Sequence, residues 1–124
     1  MLIQMLILAI ATQGLNAVDD ANLALTTCGF AAYRHANEQD QSLDQFARSL
    51  SSRCSEPLAR MRQTVIALQI ERGKSRAAAS ATADGLTVGF QQQFADQYAK
   101  RAESQAQLRE LQRALREERK ADAH

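Results

Sequence analysis

Two cysteines, Cys28 and Cys54, each fall on an apolar stripe of helical spacing, with a helix-start signal between them. The first stripe carries Ala21, Leu25, Cys28, Ala32 and then His35, and the second Leu43, Phe46, Ala47, Leu50 and Cys54. Ser42-Leu43-Asp44-Gln45 has the Ser-x-x-Gln form of a capping box, so the polar Gln39-Asp40-Gln41 before it reads as a short connection. At a rise of about 1.5 Å per residue, Cys28 stands roughly 15 Å before that connection and Cys54 roughly 18 Å after it. The two thiols are therefore level to within one turn on antiparallel helices, each on its buried stripe. An intramolecular disulfide follows in an oxidising compartment, closing a loop of about 26 residues worth roughly 3 to 4 kcal/mol in chain entropy. In a reducing compartment the same geometry leaves two buried thiols.

The remainder reads as helix too, rich in Ala, Gln, Arg, Leu and Glu, with one Pro and five Gly. Asp19 and Asp20 suit the start of the first helix, which extends to about Glu38. Pro57 is tolerated in a first turn, so Ser55 is expected to cap a third helix from Glu56 to Arg72. Leu58, Met61, Val65 and Leu68 line its inner face, and Gly73 ends it. Ser75 then caps a fourth helix, in which Ala79, Ala83, Leu86, Phe90, Phe94 and Tyr98 keep helical spacing. That helix is expected to run some thirty to forty residues, with Gly85 and Gly89 marking where it could bend. Gly29, beside Cys28, leaves room for a neighbouring backbone, and the Gly85-x-x-x-Gly89 pair reads as a close packing contact. The fold class is all-α: a disulfide-linked antiparallel hairpin packed with a third helix and a long C-terminal helix.

Residues 1–17 stand apart, having no charged side chain. The apolar run Leu2 to Ala11 matches the length of a secretory h-region and falls short of the roughly twenty residues that span a bilayer. Gln13-Gly14 is expected to break it, and cleavage after Ala17 would leave Val18 at the N-terminus. The segment lacks a basic residue before the apolar run, so an uncleaved apolar helix is the alternative. The organisation expected is a leader over 1–17, a helical domain over 18–102 and a charged helical extension over 103–124. Of the larger apolar side chains, 24 remain from Val18 onward, so the core is thin and a cross-link matters to it.

Net charge is +1, too balanced for a nucleic-acid coat or a polybasic membrane anchor. Locally it alternates: −3 over residues 18–52, +4 over 53–76, −2 over 77–99 and +2 over 100–124. The basic residues of the second stretch, such as Arg53, Arg60 and Arg72, spread around the helix and read as solvated surface. Arg72-Gly73-Lys74-Ser75 resembles the end of a phosphate-binding loop, but Leu68 stands where that loop needs its first Gly. Cys28, His35 and Cys54 could offer three metal ligands without a fourth, and no C-x-x-C or H-E-x-x-H pattern occurs. Thr27 before Cys28 disfavours a lipid-attachment reading. No catalytic residue, cofactor, metal, nucleic acid or small-molecule substrate is indicated.

In the last stretch Leu108, Leu111 and Leu115 make one short apolar stripe among charges of both signs. Carried backwards, the seam meets Ser104 and Arg101, which argues against a long coiled coil. A protein partner or a second copy of the chain is what such a stripe would meet.

Through Cys28-Gly29-Phe30-Ala31-Ala32-Tyr33-Arg34, Ser42-Leu43-Asp44-Gln45-Phe46 and Cys54, the chain resembles small exported α-helical proteins of bacteria. The resemblance covers the first half of the chain after the leader and implies no activity. The expected function is that of a non-catalytic periplasmic or secreted helical protein-interaction module. The alternative is a membrane-associated accessory protein that retains residues 1–17.

Overall fold

A computed structural model describes the backbone of residues 2–123 and the side chains of residues 16–123. It contains four helices, α1 (Leu2–Glu38), α2 (Leu43–Arg53), α3 (Ser55–Glu71) and α4 (Arg76–Asp122), and no strand among the described residues. α1 and α2 form the antiparallel hairpin, and α2 and α3 follow one another through a single hinge residue. Both pack against α1 and α4, giving an up-down-up arrangement whose middle leg is broken at Cys54.

Local chemistry sets each boundary. Ser42 Oγ accepts from the Gln45 amide at 3.2 Å while Gln45 Oε1 accepts from the Ser42 amide at 2.9 Å, completing the expected capping box. Ser75 Oγ accepts from the Ala78 amide at 3.1 Å and caps α4. α1 and α3 both end in the paired hydrogen bonds of a Schellman motif: Gln41 to Ala36 and Asp40 to Asn37 in one, Lys74 to Gln69 and Gly73 to Ile70 in the other. The left-handed position is Gly73 (φ 88°) in the second and Asp40 (φ 50°) in the first. Asp40 is thus held in a conformation that glycine adopts at less cost.

Three boundaries differ from the sequence reading. The α1 backbone starts at Leu2 rather than near Asp19, because Gln13-Gly14 removes no amide and a single interior Gly costs only about 1 kcal/mol. The side chains of residues 1–15 lie outside the described residues, as does His124. Cys54, not Ser55, is the N-cap of α3: its amide donates to Leu50 O at 3.0 Å and its carbonyl accepts from Leu58 at 2.9 Å, so one residue ends α2 and starts α3. α4 is longer than expected, 47 residues, and passes through Gly85 and Gly89 without interruption.

The core is narrow. Ala21, Leu25, Ala32 and Ala36 face inward from α1, Phe46 and Leu50 from α2, Val65 and Leu68 from α3, and Ala79, Ala83, Phe94 and Tyr98 from α4. Ala36 rather than His35 continues the buried face of α1, since the face passes through Gly29 and Ala32 at spacings of three and four. The stiffest part is aromatic: Phe46 stacks on Tyr98 at 4.5 Å between centroids, and Tyr33 meets both edge-on at 6.0 and 5.5 Å. No charged or polar side chain is buried among the described residues.

Candidate functional site

Cys28 and Cys54 are joined in a disulfide with Cα atoms 5.8 Å apart, an ordinary separation for such a bond. It ties α1 to the α2–α3 hinge, where Cys54 is fully buried. Neither sulfur is a free thiol, so neither supplies a nucleophile. No cluster of three or more His, Cys, Asp or Glu side chains that could hold a metal occurs among the described residues.

Two apolar surfaces are exposed instead. The first is the stripe expected from the sequence. α4 makes its last buried contact at Tyr98, and residues 106–123 are exposed throughout. Leu108, Leu111 and Leu115 are 57%, 57% and 49% exposed. The helix leaves the bundle where Arg101 lies over the Tyr33 ring, 5.6 Å from its centroid. Tyr98 closes that end of the bundle, its hydroxyl donating to Gln41 O at 2.6 Å with Ala36 O at 3.2 Å as a second acceptor. Burial raises the Tyr98 pKa above 10.0 and the nearby Asp40 carboxylate adds to the rise, with Arg101 acting against it.

The second surface is a groove of about 410 Å³ along the junction of α1, α3 and α4. Leu25 and Phe30 form one wall, Leu58 and Met61 the floor, and Leu86, Phe90 and Phe94 the other wall. Its polar lining consists of Asn, Thr and Gln side chains, with no charged residue. The groove borders the level at which α1 and α4 meet, where Gly29 lies against Phe94 and Phe90. At the close level, a Cβ on Gly29 would lie 2.5 Å from Phe94 Cζ, so glycine there admits an aromatic ring rather than the neighbouring backbone anticipated from the sequence. Gly85 and Gly89, expected to make a close packing contact, have nothing within 4 Å of where a Cβ would be. They widen the groove instead of closing a contact.

Leu86 also departs from expectation. It keeps helical spacing with the core residues of α4, yet it is 48% exposed, on the open groove rather than in the core. The sequence signal for the groove was the alternation of Gly85 and Gly89 with Leu86 and Phe90, two missing side chains beside two large apolar ones. Ile66 and Ile70, beside the α3 stripe, are partly buried and exposed respectively and do not line the groove.

Among the described residues no helix is long and apolar enough to cross a membrane. Set against known proteins, the chain matches no protein-family model, no curated protein and no solved structure.

Proposed function

We propose that this chain is an exported, non-catalytic helical protein-interaction module that works through the projecting end of α4. The observation that carries the reading is the exposure of Leu108, Leu111 and Leu115 on a helix that has already left its own bundle. Three leucines at spacings of three and four on one helix face are the anchors of helix-in-groove recognition, and the mixed charges around them keep the helix soluble until it meets a partner. The disulfide supports export, because such a bond persists in oxidising compartments. It also secures a thin core from which a long helix can project.

Affinity capture from the native compartment tests this. The full chain should retain a partner, whether another protein or a second copy, that a chain lacking residues 104–124 loses. Equal capture by both chains removes the end of α4 as the site. The intact mass of the same material should show Val18 at the N-terminus and two fewer hydrogens than the reduced chain. Residues 1–17 retained on a chain recovered in the membrane fraction would make it the membrane-associated accessory protein instead.

A further inference from the structure

We propose, building on that reading, that the groove between α1 and α4 receives the end of α4 from a second copy of the chain. Two chains then pair their α4 helices antiparallel about a two-fold axis near Lys100 and Arg101. Leu115 meets Leu86, Leu111 meets Phe90 and Leu108 lies against Gln93.

The register comes from spacing. Leu86, Phe90 and Gln93 are separated by four and then three residues, and Leu108, Leu111 and Leu115 by three and then four. One set is the reverse of the other, as an antiparallel pair requires. Leu86 and Leu115 are separated by about eight turns at 3.6 residues per turn, so both sets lie on the same side of α4. Between them that side is polar, with Gln97 and Ser104. A parallel pair would therefore set leucines against leucines at one end only and leave both grooves empty, whereas the antiparallel pair fills both.

Charge selects the same arrangement. On the flanks of the groove, residues 16–33 of α1 and 77–99 of α4 carry Asp19, Asp20, Asp84 and Asp96 and no Lys or Arg, Asp84 being paired with Arg62 of α3. Residues 100–124 carry seven basic side chains against five acidic. A net cationic helix end thus lies over an uncharged groove whose flanks on α1 and α4 are net anionic, while two such ends laid side by side would repel. Gly85 and Gly89, open to solvent along the groove, let the incoming helix approach closely. The contact is isologous, so it closes on itself at two chains and builds no fibre.

Analytical ultracentrifugation of the full oxidised chain over a concentration series tests the pairing. The wild type should show a monomer–dimer equilibrium. Leu86→Glu and Leu111→Glu should each weaken it by at least about tenfold. Both residues are largely exposed, so the helical signal of the monomer should not change. Leu115→Arg added to Leu86→Glu should recover association, while Leu108→Arg added to Leu86→Glu should not. A wild-type chain that stays monomeric up to about 1 mM overturns the proposal. So does a dimer lost with Leu111→Glu but untouched by Leu86→Glu, since the tails would then meet each other. A monomeric chain that still captures a different protein through residues 104–124 would end this inference and leave the interaction reading standing.

Discussion

The same substitution, Gly→Ala, should change stability in opposite directions at two positions, according to whether α1 and α4 touch there. At Gly29 the new Cβ would stand 2.5 and 2.7 Å from two atoms of the Phe94 ring and 3.1 Å from Phe90 Cζ. Ordinary carbon contacts are about 3.5 to 4.0 Å, so the ring must retreat by about 1 Å. It has little freedom to do so, being 5% exposed and held by Phe30 at 5.3 Å and Phe90 at 5.0 Å between centroids. Overpacking of this kind costs about 1 to 3 kcal/mol. Alanine returns about 1 kcal/mol through its better helix propensity, for a net loss of about 1 kcal/mol. At Gly89 nothing lies within 4 Å, so only the propensity acts and Gly89→Ala should stabilise by about 0.5 to 1 kcal/mol. The two variants should therefore differ by about 2 kcal/mol in urea unfolding followed by circular dichroism, at a protein concentration low enough that association does not contribute. Shortening the ring with Phe94→Leu should make Gly29→Ala less costly than it is in the wild type, because the two side chains compete for one space. If Gly29→Ala stabilises the chain as much as Gly89→Ala does, Phe94 does not pack on Gly29 and α1 and α4 do not meet there.

Reduction of Cys28–Cys54 should lower unfolding stability by about 3.5 kcal/mol, from the chain entropy released over a separation of 26 residues. An unchanged urea midpoint after reduction would mean that the thin core holds α1 against the hinge without the bond. Tyr98→Phe should cost about 1 kcal/mol at pH 8, by removing the hydroxyl that donates to Gln41 O. Because the folded pKa of Tyr98 lies above its unfolded value of 10.0, this residue's contribution is complete below pH 10 and is lost as pH rises through the folded value. The difference between wild type and Tyr98→Phe should then narrow with alkalinity, and a gap that widens above pH 10 would contradict the buried, neutral phenol.

The hairpin was legible because its determinants are local. A Ser hydroxyl and a Gln amide three residues apart satisfy the first amides of α2 whatever else surrounds them, and the position of that cap places Cys28 and Cys54 at one level. The same holds for Ser75 and Gly73, whose roles depend on their own turn. Cys54 as the cap of α3 was not legible: with no side-chain cap bond, nothing in the residue type distinguishes a hinge from a helix interior. Nor was the exposure of Leu86, since spacing gives the face on which a residue lies and not whether a neighbour covers it at that level.

By itself the sequence determined four helices, the disulfide between the first hairpin's legs, and a leucine stripe at the C-terminal end, each from contacts within a few turns or one connection. Only the tertiary structure decided what the glycines are for. Gly29 lies where α1 and α4 meet and is filled by a neighbour's ring, while Gly85 and Gly89 have open space beside them and line a groove without charged residues. The distinction depends on the distance between two helices remote in sequence, which side-chain packing sets and which no local pattern records.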